Sequence, residues 1–161
     1  MPVMWGTHNG SQIFIQAGVI DATAFQGPLI AGGQIPRIPN PPMFTALVDT
    51  GAQVTMISPR VAQTVGLKPI GQMPIQGVGH AISHHNAYLF HVAFVIPITS
   101  TRGIVQDPGN TVTSMIFVMP SAIYGGEITA TGDNFDVLLG MDVISAGSFK
   151  VEVSGHYSFA F

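Results

Sequence analysis

Phe44-Thr45-Ala46-Leu47-Val48-Asp49-Thr50-Gly51-Ala52-Gln53-Val54-Thr55-Met56-Ile57-Ser58 is the stretch on which the fold of this chain turns. Its opening, Phe44 to Val48, is apolar and bounded by turn residues, the pattern of a strand laid on a core. A carboxylate follows directly. Burying an ionised carboxylate without a partner is expensive, and chains do so mainly where function demands it. Thr50 offers a hydroxyl to anchor a loop, and Gly51 permits tight backbone approach. Taken alone, Asp-Thr-Gly reads more readily as an aspartate stabilising its own turn, because three-residue matches are common by chance.

Outward from this stretch the pattern stays β-rich. Short runs at Gln12 to Ile15, Tyr88 to Ile96, Thr111 to Val118, Asp136 to Leu139 and Phe149 to Val153 are rich in Val, Ile and Phe and bounded by turn residues. They predict an all-β barrel or sandwich. Two places break the pattern. Ser58-Pro59 predicts a short helix, with Ser58 as N-cap, Pro59 at the first helical position and Gly66 at the end. Asp142 reads as the N-cap of a second, running through Ser145 and closed by Gly147. Gln34 to Pro42, Thr99 to Asn110 and Gly125 to Asn134 read as loops or extended connections. No repeat of fixed period interrupts residues 1–161, which are expected to form a single domain. Residues 1–40 are open to two readings, an N-terminal extension or part of a dimer sheet.

Composition narrows the function. Apolar residues make up 47% of the 161 and charged residues only 8%, far below the usual quarter. So little surface charge tolerates association. A net charge of −3 with no basic cluster argues against nucleic-acid and membrane partners. The absence of cysteine excludes disulfides and thiolate catalysis. The start of the chain carries no basic, then apolar, leader pattern, and no apolar run is long enough to span a bilayer, so a cytoplasmic location is expected. His80, His84, His85 and His91 lie close in sequence, but a hairpin places His84 on the face opposite His85 and His91. No metal is expected there. The other acids have ordinary readings: Asp107 and Asp133 in turns, Asp142 as a cap, Glu127 in a loop, Glu152 on a polar strand face, and Asp21 and Asp136 at edges or in loops.

Context changes the reading of Asp49. The stretch Ala46 to Ser58 closely resembles the active-site strand and loop of retropepsin-like aspartic proteases. Arg60-Val61-Ala62 and Gly66-Leu67 look like the continuation in the DNA-damage-inducible ubiquitin-shuttle proteases. Phe135-Asp136-Val137-Leu138-Leu139-Gly140-Met141-Asp142 resembles the family's second motif, and Gln76-Gly77-Val78-Gly79-His80 lies at its flap position. The likeness covers about Phe44 to Val153 in outline.

The resemblance implies a closed, homodimeric retropepsin-type barrel with two short helices. It also implies an endopeptidase acting on peptide or protein substrates without a cofactor. The chain holds one Asp-Thr-Gly, so a second Asp49 must come from a two-fold-related copy. By the same resemblance Thr50 bonds across the two-fold and Gly51 meets substrate backbone. Leu47, Ala52, Gln53, Met56, Gly77, Val78, Gly79 and Leu138 are the expected substrate contacts, with Gln76 to Ala81 as a mobile flap. Phe14 to Val19 and Tyr157 to Phe161 are the expected inter-subunit sheet. One departure favours the shuttle-protease branch: where retroviral members pair an acid with an arginine, this chain has Gln53 and Met141. Two rivals remain at this point, a catalytically silent dimerisation or peptide-binding domain of the same fold, and a β-sandwich capsid-like or carbohydrate-binding module.

Overall fold

The structure, a computed structural model, describes residues 3–8, 10–23, 40–77, 81–97, 114–129 and 134–161. Its elements run β1 (Val3–Thr7), β2 (Phe14–Asp21), β3 (Met43–Val48), β4 (Met56–Ile57), α1 (Pro59–Val65), β5 (Gly71–Ile75) and β6 (Ser83–Pro97). Then follow β7 (Ser114–Val118), β8 (Ile123–Glu127), β9 (Val137–Leu139), α2 (Met141–Ile144), β10 (Ser148–Val151) and β11 (His156–Ala160). The chain is mostly β, as its composition predicts, with two short helices among the described residues.

Eight strands form one sheet. Its hydrogen-bonded path runs β2-β3-β9-β4-β8-β6-β5, β7 adds to β6, and β2 also pairs with β6. The long β6 therefore bonds β2 through Phe90 to Phe94, β5 through Ser83 to Ala87, β8 through Ala87 to Phe90 and β7 through Ala93 to Pro97. Phe90, Val92 and Phe94 on β6, with Ile57, Val137 and Leu139, are fully buried. Burying each phenylalanine stabilises the fold by roughly 1.5–3 kcal/mol relative to leaving it exposed.

A three-stranded sheet, ordered β1-β11-β10, closes the chain ends on one another. Phe159 meets Phe94 edge-on at 5.9 Å, while Phe161 stacks on Phe94 at 4.6 Å and lies 5.0 Å from Phe117. The apolar C-terminus thus packs the small sheet onto the large one. The segments expected to join subunits are engaged within the chain. Phe14 to Gly18 pairs with β3 and Ala17 to Asp21 with β6, while β11 has β1 on one side and β10 on the other.

Helix α1 is built as its sequence predicts. The Ser58 hydroxyl oxygen accepts from the Val61 N–H at 3.3 Å, Pro59 occupies the first turn, and Gly66 ends the helix at φ 79°, the left-handed region that favours glycine. Helix α2 departs from expectation. Gly140 is its N-cap, and Asp142 lies inside the first turn, where its carboxylate accepts from the Val143 N–H and also from the Thr55 hydroxyl and N–H. The expected loop from Gly125 is also corrected at its start, since Gly125 to Glu127 belong to β8. There glycine means crowding: a Cβ on Gly125 would sit 2.6 Å from the Phe90 ring and 2.7 Å from the Thr55 carbonyl oxygen. The strand expected at Gln12 to Ile15 starts at Phe14 and runs on to Asp21. The expected loop Thr99 to Asn110 lies outside the described residues, as do 34–39, 111–113 and 130–133 of other expected segments. Among the described residues no helix is long and apolar enough to cross a membrane.

Candidate active site

Three strands frame the Asp-Thr-Gly loop. β3 runs parallel to β9 in the register Ala46↔Val137, Leu47↔Leu138 and Val48↔Leu139. β4 runs antiparallel to β9 on its other side, with Met56↔Leu138 and Ile57↔Val137. The loop 49–55 therefore leaves β3 on one side of β9 and returns on the other. Backbone bonds hold it there. Asp49 N–H donates to the Leu139 carbonyl at 3.0 Å, Met141 N–H to Ala52 at 2.8 Å and Asp142 N–H to Gln53 at 3.2 Å.

Gly140 makes the close crossing possible. A Cβ there would lie 2.6 Å from the Val54 carbonyl carbon and 2.9 Å from the Thr55 nitrogen. Only a residue without a side chain lets these backbones approach so closely.

Asp49 is half-buried, and its Oδ1 accepts from the Gly51 N–H at 2.8 Å. Among the described carboxylates it alone has no side-chain donor. Asp21 takes the Thr23 hydroxyl, Glu127 takes Tyr88 and Asn86, and Asp136 takes Ser58 and Arg60. Asp142 takes Thr55, and Glu152 takes Lys150 and Ser154. Burial, helped by the 2.5 Å bond to Glu127, pushes the Tyr88 phenol up to about 12. The hydrogen bond from Lys150 leads the causes that hold Glu152 below its ordinary value.

The residues singled out by sequence distribute unevenly. Leu47, Leu138 and Met56 stand side by side across β3, β9 and β4, so register puts their side chains on one face. Ala52 is half-buried, while Thr50, Gly51 and Gln53 are exposed on the loop. Gly77 is exposed beyond β5, where Ile75 pairs with Ser83 across the β5–β6 hairpin. Val78 and Gly79, with His80, lie outside the described residues. Of the other clustered histidines, His85 bonds Ser83 at 2.7 Å and buried His91 bonds the Met119 carbonyl at 2.9 Å. Among the described residues no group of three or more His, Cys, Asp or Glu could hold a metal ion.

The sequence pattern places Asp142 at the start of α2, where it does accept from the Val143 N–H, but does not reveal Thr55 as the donor to both of its oxygens. The available signal was a hydroxyl in the otherwise apolar run Val54 to Ile57, at a position that proves wholly buried.

Residues 37–143 match the family model described as aspartyl protease, more than half of the chain. No curated protein matches the sequence. Among solved structures, the chain resembles the crystal structure of a retropepsin-like aspartic protease from Rickettsia conorii. The TM-score is 0.52 at 15% identity, covering 99% of this chain and 90% of that one, a likeness of fold.

Proposed function

The chain belongs to the aspartyl protease family, and from that premise we propose an aspartic endopeptidase that works as a homodimer with one Asp49 from each subunit. The observation that carries this reading is the state of Asp49, the one described carboxylate without a side-chain donor, on a loop stapled to the second motif. Asp136 and Asp142, the acids a lone monomer would have to recruit, are engaged by Ser58 and Arg60 and by Thr55.

Two carboxylates held together cannot both ionise, so the pair shares one proton. The ionised Asp49 takes a proton from a water whose oxygen attacks the peptide carbonyl carbon. The protonated Asp49 hydrogen-bonds the carbonyl oxygen as negative charge develops there. Collapse of the tetrahedral intermediate breaks the C–N bond, and the leaving nitrogen takes the proton that Asp49 drew from the water, which returns the pair to one shared proton. No cofactor enters these steps. The row Leu47, Leu138 and Met56 supplies apolar wall for an extended peptide, and Gly77, with Val78 and Gly79 by the family resemblance, serves as the flap that meets it. Thr50 and Gly51 serve the partner loop and the substrate backbone, with Ala52 and Gln53 alongside.

The ring of pairings from β2 through β3, β9, β4, β8 and β6 back to β2 supports a closed barrel. Among the described residues the outer edges of β1 and β10 pair with no strand and would be free for a second copy, and Trp5 and Val3 on β1 are exposed. The backbone bonds of Gln53 and Ala52 to α2 stand where retroviral relatives place an ion pair, in keeping with the shuttle-protease branch.

Subunit exchange tests the reading. Mixing wild type with an equal amount of Asp49→Asn leaves about a quarter of dimers with two aspartates, so activity per wild-type chain drops to about half. Dilution lowers specific activity as well. Full activity after demonstrated exchange, or activity independent of dilution, overturns the shared site.

A further inference from the structure

Thr55 is fully buried and polar. Its hydroxyl donates to Asp142 Oδ1 at 2.6 Å and accepts from the Gly140 N–H at 3.1 Å, while its own N–H donates to Asp142 Oδ2 at 2.9 Å. The Val143 N–H donates to Oδ1 at 2.9 Å. Both oxygens of Asp142 are thereby filled, and Thr55 is satisfied as donor and as acceptor. The bonds tie the last residue of the Asp49 loop to the first turn of α2, 87 positions away.

We propose that Asp142 and Thr55 form a positioning pair that sets where Asp49 stands relative to β9, and hence its spacing from the Asp49 of the second subunit. The proposal rests on the protease reading. Proton sharing between two carboxylates tolerates little error in their separation, since misplacement of about 1 Å can cost a hundredfold in rate. Gln53 and Met141 carry no charge to form an ion pair, so this buried set supplies the side-chain bonds that add to the backbone bonds holding the loop. A carboxylate is the group required at position 142. Three donors converge on it, and an ionised carboxylate only accepts, whereas an asparagine would turn an N–H₂ toward one of them.

Hydrolysis of a peptide substrate, with active sites titrated by a transition-state inhibitor of aspartic proteases, separates positioning from mere stability. For Asp142→Asn and Thr55→Val, kcat falls at least about tenfold per titrated site, with KM within about threefold, the signature of lost transition-state stabilisation. Thr55→Ser restores the hydroxyl and brings kcat back to within about threefold of wild type. The double variant Thr55→Val/Asp142→Asn is no slower than the slower single, because both remove one interaction. If Thr55→Val or Asp142→Asn does not fold, Asp142→Glu carries the test: it keeps the charge, displaces the oxygens and slows kcat likewise. Wild-type kcat per site in the folded variants, or losses that multiply in the double, overturns the positioning role. A wild-type dimer that cleaves nothing overturns the protease reading instead, and this proposal with it.

Discussion

β3 and β9 lie side by side in parallel register, and each runs from Leu or Val into a turn bearing one glycine and one aspartate. On β3 the aspartate comes first, in Val48-Asp49-Thr50-Gly51. Its carboxylate reaches only a backbone N–H of its own loop. On β9 the glycine comes first, in Leu139-Gly140-Met141-Asp142. The chain turns tightly against Val54, and the aspartate two residues later folds back onto Thr55. The order of glycine and aspartate thus decides which carboxylate stays open for chemistry and which is used up in structure.

Replacing Asp49 by Asn sharpens the contrast most. Peptide hydrolysis falls more than about a thousandfold, the scale of removing a group that acts on the reacting atoms. Folding stability stays within about 1 kcal/mol, because an amide oxygen still accepts from the Gly51 N–H. Kinetic assay and urea titration of the same preparation check this, and a large stability loss would make Asp49 a structural residue like Asp142.

Gly140→Ala addresses the other turn. The new Cβ meets Val54 and Thr55 backbone, which cannot swing aside, so stability drops by about 2–4 kcal/mol and activity goes with it. Denaturant unfolding measures it, and a loss below about 1 kcal/mol would show that the crossing is not tight.

Arg60→Ala is the small effect. Its ion pair with Asp136 spans 3.2 Å, but the Arg60 side chain is 75% exposed, so removal costs less than about 0.5 kcal/mol. A loss several times larger would mean that Asp136, like Asp142, is held as structure through its charged partner, and not mainly through Ser58.

Which parts of this were legible in sequence follows from how local their causes are. The cap at Ser58, the proline after it and Gly66 are a local code, and α1 follows it residue by residue. The apolar run before Asp49 and the one before Gly140 announced β3 and β9. What stayed hidden depends on distant partners. Gly125 and Gly126 look like a turn, yet they form strand because they pair with Tyr88 and Ala87 of β6, and they are glycine because Phe90, Thr55 and Met73 leave no room for side chains. β5, with Gly71 and Pro74 in its five residues, is a strand because β6 pairs with it along its whole length. Asp142 beside a short helix reads as a cap until Thr55, far back in the chain, claims both oxygens. The apolar ends of the chain suggested an interface, and Phe94, Phe149 and Phe117 explain much of that character within one subunit.

The placement of β9 between β3 and β4 has a consequence for how the molecule is made. During synthesis Asp49 and both strands flanking its loop emerge well before Val137 to Leu139 do, and until then each of those strands lacks a neighbour. An open strand edge is a template for pairing with whatever chain is at hand, and closing so long a loop must be met in entropy before its hydrogen bonds return anything. The nascent protein is therefore open to mispairing beside the loop that carries Asp49, and the later arrival of Val137 to Leu139 covers both edges and completes the loop's seat in one event.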